Sequence, residues 1–224
     1  AGTGYGIQQK FTTLDTVIKH EGWIYYAVQI GTQVWMNRNL SATRFRNNVP
    51  ITFISGEYEW EWWHDDDGAY CYCDDDSCNS KPYGFLYNFH AVENDNGLCP
   101  LGWHVPSIDE WKTLMEYLGG YQVAGGKLKA TGTIEDGTGL WHSPNLAATN
   151  ETRFRGLPAG FRYSMGSYEE SSFGDEAIFW TSTLSSDNGW AVIVSLNKSH
   201  GALAERTSPY HTGASVRCIR NYSY

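Results

Sequence analysis

A series of short glycine-, tryptophan- and cysteine-bearing motifs across the second half of the chain constrains its fold most. They run Cys99-Pro-Leu-Gly-Trp-His-Val-Pro-Ser107, Glu110-Trp111, Gly156-Leu-Pro-Ala-Gly-Phe-Arg162, Phe179-Trp-Thr-Ser-Thr183 and Ser215-Val-Arg-Cys-Ile-Arg220. Prolines and glycines punctuate the apolar stretches, and no internal repeat, low-complexity tract or linker divides the chain. One domain over residues 23–224 is expected, preceded by a leader or extra strand over residues 1–22 and interrupted by an acidic insert at about 47–80. The 224 residues are 41% hydrophobic, enough to build a core, and 15% aromatic, with 10 Trp and 15 Tyr. Such aromatic density suits a loop-rich, mostly β domain with aromatic-lined surfaces.

Charge is unevenly spread. Residues 47–80 contain no Lys or Arg but hold nine acids, from Glu57 to Asp76, whereas the rest of the chain balances and the whole carries −9. A net negative charge repels phosphate backbones and anionic lipid surfaces, which argues against nucleic-acid and peripheral membrane binding. No stretch of 18 apolar residues spans a bilayer. The opening residues lack a basic and an apolar signal region. The expectation is therefore a mature extracellular or bacterial outer-surface chain, compatible with a lipid anchor before residue 1.

Local patterns predict several elements. Trp23–Ile30, Gly31-Thr32 and Gln33–Met36 read as a β-hairpin. Tyr83–Val92 reads as a short helix, with Leu86, Phe89 and Val92 on one face. Ile108–Leu118 reads as the best helix: Ser107 caps it, Glu110 completes a capping box, and Ile108, Trp111, Leu114, Met115 and Leu118 form an apolar stripe. Gly119-Gly120 ends it. Beyond that, helical periodicity fades, and Phe179–Thr183, Trp190–Leu196, Ala202–Arg206 and Ser215–Arg220 read as strands. The alternation Tyr58-Glu59-Trp60-Glu61-Trp62 is read as a strand with a buried aromatic face, in preference to a sugar-stacking surface. Trp141 and Trp180 are assigned to the core.

Val28-x-Ile30-Gly31-x-Gln33-Val-Trp-Met36-x-x-Asn39-Leu40 resembles the opening of the Fibrobacter succinogenes major paralogous domain. Tyr83-Gly84-x-Leu86-Tyr87-Asn88, Cys99-Pro-x-Gly-Trp-His-Val-Pro106, Glu110-Trp111, Gly125-Gly126-Lys127-Leu128-Lys129, Leu157-Pro-Ala-Gly160-x-Arg162, Phe179-Trp180 and Ser215-Val-Arg-Cys218 follow in the same order. The resemblance covers roughly residues 25–220. It implies an α+β, C-type-lectin-like fold of twisted antiparallel strands with two short helices, related to formylglycine-generating enzymes. It also implies a secreted or surface-anchored protein, with relatives among the variable proteins of diversity-generating retroelements. A Cys99–Cys218 disulfide is likewise implied. On the chain-entropy account such a bridge contributes roughly 4–5 kcal/mol. The cysteines then leave one of Cys71, Cys73 and Cys78 over.

A thiol catalyst needs a lowered pKa, and an acidic neighbourhood around Cys71, Cys73 and Cys78 works against it. No nucleophile-elbow or zinc-protease motif occurs, so no catalytic residue is expected. His64-Asp65-Asp66-Asp67-Gly68 and Asp74-Asp75-Asp76 offer oxygen ligands for Ca2+, but EF-hand spacing is absent, and a solvated acidic loop is the expected reading. The expected ligand face runs over residues 190–211: Trp190, Asn197, Lys198, Ser199, His200, Arg206, Thr207, Ser208, Tyr210 and His211. Their aromatic, amide, hydroxyl and cationic groups suit adaptable recognition of a surface glycan or protein. The alternatives are a structural or adhesive module and, more distantly, a formylglycine-type oxidase. Replacing Tyr210 and Arg206 with Ala should abolish binding and leave the melting temperature nearly unchanged.

Overall fold

The computed structural model of the chain describes residues 12–61, 68–167 and 172–221. It is a mixed α+β structure of two sheets and short helices, and no described helix is long and apolar enough to cross a membrane.

The first sheet holds the expected hairpin. β1 (Thr12–His20) pairs with β2 (Trp23–Ile30), which turns at Gly31-Thr32 into β3 (Gln33–Met36). The remaining two strands are β7 (Trp103–His104) and β12 (Ile219–Arg220), in the antiparallel order β1-β2-β3-β12-β7. The leader is thus partly an edge strand of this sheet. The second sheet has seven strands. β10 (Leu203–Pro209), β9 (Trp190–Asn197) and β8 (Glu176–Leu184) lead through β11 (Ala214–Ser215) and β6 (Phe85–Tyr87) to β5 (Ala69–Tyr72) and β4 (Thr52–Phe53). The expectation of antiparallel strands holds except at β8–β11 and β4–β5, which are parallel.

β8 and β9 are buried on both faces. Ala177, Phe179, Val192, Val194 and Leu196 pack into one core cluster, and Ile178, Trp180, Ala191 and Ile193 into the other. This explains the nearly continuous apolar runs of these strands, since a sheet covered on both sides needs no polar alternation. Trp141 and Trp180 are fully buried, as expected.

The described residues form five α-helices, α2 being the single turn Ser80–Tyr83, where two were expected. α4 (Ile108–Tyr117) follows the sequence reading: Ser107 Oγ accepts from the Glu110 amide, the Glu110 carboxylate accepts from the Ser107 amide, and the five-residue stripe is buried. Each large apolar side chain so buried contributes about 1.5–3 kcal/mol. α5 (Tyr121–Leu128) was not foreseen, because Gly125 and Gly126 are weak helix formers. Both glycines are there for contact. A Cβ on Gly125 would stand 2.3 Å from the Ala202 carbonyl oxygen, and one on Gly126 would stand 2.4 Å from that of Ala147. The helix is held by backbone packing, including a Gly126 amide bond to Gly201 O at 2.8 Å.

Two local readings are corrected. Residues 57–61 form helix α1 (Glu57–Glu61) and not a strand. Side chains two residues apart share a strand face but point to nearly opposite sides of a helix. Trp60 accordingly turns inward at 2% exposure while Tyr58 stays 75% exposed. Trp62 lies outside the described residues. Tyr83–Val92 is not one helix either. Gly84 takes φ +79°, β6 follows, and Asn88 caps α3 (Phe89–Glu93) by accepting from the Ala91 amide at 3.0 Å. Every residue from Tyr83 to Val92 is buried, so spacing there carries no information about a facing side.

Cys99 and Cys218 form a disulfide with a Cα–Cα distance of 6.1 Å. The clustered cysteines do not supply a second one. Cys71 and Cys73 are buried while Cys78 faces solvent, and Cys73 Sγ donates to Gly84 O at 3.7 Å.

Candidate functional site

The register of β8, β9 and β10 aligns three polar side chains across the sheet. Glu176 pairs with Asn197, and Arg206 pairs with Ile193, so strand alternation sets Glu176, Asn197 and Arg206 on one face. Asn197 Nδ2 donates to Glu176 Oε1 at 3.0 Å, and Arg206 Nη2 donates to Glu176 Oε2 at 3.1 Å. Beyond the strand ends, Lys198 Nζ meets Asp175 Oδ2 at 2.8 Å, and His142 Nδ1 contacts Asp175 Oδ1 at 2.8 Å.

The segment after Leu157 forms the opposite wall. Gly160 N bonds to Glu176 O at 2.9 Å, which fixes that segment beside β8. Phe161 and Tyr163 meet edge to face at 4.8 Å. Together these groups line an open cleft of about 340 Å³, with Asn197, Lys198, Ser199 and Arg206 on one side and Phe161 and Tyr163 on the other. A smaller adjoining cavity of about 150 Å³ shares Phe161 and Arg206 and is lined also by Thr207 and Ser208.

Carboxylates and cations in the cleft are paired but remain partly exposed, Arg206 most at 46%. Exposed ion pairs contribute ~1 kcal/mol or less. A ligand hydroxyl can therefore accept from Arg206 or donate to Glu176 in exchange at small cost.

One buried residue holds the loop that carries this site. Lys129 Nζ donates to Leu146 O at 2.7 Å, Asn197 O at 2.9 Å and His200 O at 3.0 Å. Burial pushes its ammonium down to about 8.

The expected residues fall into three groups. Asn197, Lys198, Ser199 and Arg206 meet in the cleft, and Thr207 and Ser208 meet in the cavity beside it, where Ser208 Oγ donates to Thr212 Oγ1 at 2.8 Å. His200 is exposed and contributes its carbonyl to Lys129. Trp190 begins β9, at the far end from Asn197, and its odd separation sets it on the other face. Tyr210 stacks on Phe89 at 4.7 Å, and His211 meets His90 at 5.2 Å and accepts from Trp60 Nε1 through its carbonyl. Asp175, Glu176, Phe161, Tyr163 and Lys129 were missed. Of these, Phe161 lies inside, and Tyr163 next to, the Gly156–Arg162 motif, and Lys129 closes Gly125–Lys129, so the motifs marked their neighbourhood but not their use.

The acidic insert is not simply solvated. Asp75 pairs with the fully buried Arg162, and Asp76 Oδ1 accepts from the Cys78 amide at 2.8 Å. His64–Asp67, half of the candidate calcium cluster, lies outside the described residues. Among the described residues, no group of three or more His, Cys, Asp or Glu could hold a metal ion.

The family model described as the Fibrobacter succinogenes major domain matches residues 28–220, and the chain belongs to that family. No curated protein matches the chain, and no solved structure does.

Proposed function

We propose that this member of the Fibrobacter succinogenes major domain family is a non-catalytic, C-type-lectin-like ligand-binding domain of a secreted or surface-tethered protein. Its ligand is a surface glycan or protein, bound through the face of residues 190–211 and centred on the cleft of Asn197, Lys198, Ser199 and Arg206. The observation that carries this reading is the cleft itself, where two aromatic rings face an amide, a guanidinium, an ammonium and two carboxylates. Such a set stacks on sugar rings and exchanges hydrogen bonds with hydroxyls, which favours a glycan over a flat protein surface.

The thiol-oxidase alternative has less support. Cys99 and Cys218 are joined, and burial pushes the Cys73 thiol well above its ordinary value, away from the thiolate a nucleophile needs. A structural or adhesive module remains the second reading, and the exposed Cys78 and the acidic insert favour it.

The test is capture of glycans by the isolated domain, with calcium and with EDTA, for the natural chain and Arg206→Ala. Arg206 is an exposed strand residue, so its loss should remove capture and leave thermal melting unchanged. Capture confined to copies of this chain would favour the structural module.

A further inference from the structure

A second pocket shares no lining residue with the cleft or the cavity beside it. It has a volume of about 160 Å³, room for about five waters, and three of its lining residues are Arg38, Lys81 and Arg155. Among the described residues, no carboxylate lines it. Among the described residues, none of these three cations forms an ion pair. In a chain of net charge −9, three unpaired cations at one pocket run against the overall balance.

The charge behind the pocket is also uncompensated. Arg217 is fully buried, and among the described residues its guanidinium donates to neutral acceptors alone: Asn39 Oδ1, and the carbonyls of Met36, Phe154 and Arg155. Burial first, then the nearby Arg155 and Arg38, push its pKa well down. Like charges so gathered destabilise one another, and an anion placed among them relieves that repulsion.

Backbone geometry adds a separate observation. Arg155 is held at φ +55°, a left-handed conformation that a non-glycine residue seldom adopts. Such strain persists where the surrounding structure over-determines it and clusters at ligand sites. Arg38 is also pre-set: its guanidinium lies 4.9 Å over the Trp23 ring, and Nη2 donates to Lys81 O at 2.6 Å. The remaining wall is apolar, with Ile24 and Tyr26 exposed at 43% and 46% beside the buried Leu157.

We propose that the pocket of Arg38, Lys81 and Arg155 binds a small carboxylic acid with an apolar body. The planar guanidinium groups match a carboxylate fork, and Ile24, Tyr26 and Leu157 cover the rest of the ligand. This site is independent of the cleft at Arg206.

Isothermal titration calorimetry at constant ionic strength tests it, with benzoate, acetate and inorganic sulfate as probes on the full chain. Benzoate should bind, and acetate more weakly. Arg155→Gln should weaken benzoate about tenfold or more, consistent with loss of a charge-assisted pair. Lys81→Gln, an exposed substitution, should weaken it as well, whereas Lys198→Gln, in the other cleft, should leave it unchanged. No benzoate binding, equal binding by the Arg155→Gln and Lys81→Gln variants, or sulfate binding more tightly than benzoate would overturn the proposal.

Discussion

Arg162 and Asp75, 87 residues apart, form a two-pronged ion pair, with Nη1–Oδ1 at 3.1 Å and Nη2–Oδ2 at 3.2 Å. Arg162 ends the Gly156–Arg162 motif, and Asp75 belongs to the acidic insert, so the pair ties the insert to the domain body. Arg162 Nε also donates to Gly166 O at 2.7 Å, and its guanidinium lies 5.0 Å over the Trp60 ring. Asp75→Asn removes the charge of this carboxylate from beside a buried guanidinium. Because Asp75 is 30% exposed, the expected loss is about 3 kcal/mol, at the low end for a broken buried pair. Urea unfolding of the variant and the natural chain measures it.

The disulfide should contribute more. Cys99 and Cys218 are both buried and close a loop with a sequence separation of 119. Cys99→Ala with Cys218→Ala should lower stability by roughly 4–5 kcal/mol on the chain-entropy account. Thermal melting of the double variant, compared with the natural chain under non-reducing conditions that keep the bridge intact, reads the loss.

His104 and Glu110 make stability depend on pH. His104 Nε2 meets Glu110 Oε1 at 2.9 Å and Nδ1 meets Asn221 Oδ1 at 2.7 Å. The Glu110 hydrogen bond raises the His104 pKa above 6.5 against the opposing effect of burial. Burial pushes Glu110 up, but bonds from His104 and Ser107 outweigh it and leave it below 4.5. The raised histidine contributes fully below 6.5 and loses its contribution as pH rises through its folded value. The depressed carboxyl contributes fully above 4.5 and loses its contribution as pH falls through its folded value. Relative to His104→Gln, the natural chain should therefore have its largest advantage between pH 4.5 and 6.5. Denaturation of both chains across that range, and above it, measures the difference.

Much of this architecture is legible where one local rule suffices. The hairpin at Gly31-Thr32 and the Ser107–Glu110 box need only neighbours within a few residues. The elements that escape are those decided by distant contacts. Gly125 and Gly126 form a helix because Ala202, Gly201 and Ala147 approach their backbones, which no local propensity reports. Trp60 turns inward to meet Arg162 and His211 O, so an alternating pattern becomes a helix. The site divides in the same way. Asn197 to Arg206 stand out as a polar run between apolar strands, whereas Asp175 and Glu176 join them only through the β8–β9 register.

Tyr210 behaves differently from Arg206. Its ring stacks on Phe89 and its carbonyl accepts from the Phe89 amide at 2.7 Å. Tyr210→Ala should cost about 2 kcal/mol, less than truncation of a fully buried aromatic residue. A melting-temperature drop for Tyr210→Ala without one for Arg206→Ala checks this, and equal melting would contradict it.

Lys129 should affect the cleft from behind. Lys129→Met would strand three carbonyls, two of them on the loop of Asn197 and His200, and cost about 1–3 kcal/mol for each group left buried and unpaired. Faster amide hydrogen exchange at residues 197–201 than in β12 would show that the loop loosens ahead of the domain.

The most direct test of the central claim is a glycan-array comparison of the natural chain with Arg206→Ala, in calcium and again in EDTA. The account predicts capture by the natural chain that survives EDTA and is lost in Arg206→Ala at unchanged melting temperature. Equal capture by both chains, or no capture by either, would contradict a glycan site in this cleft.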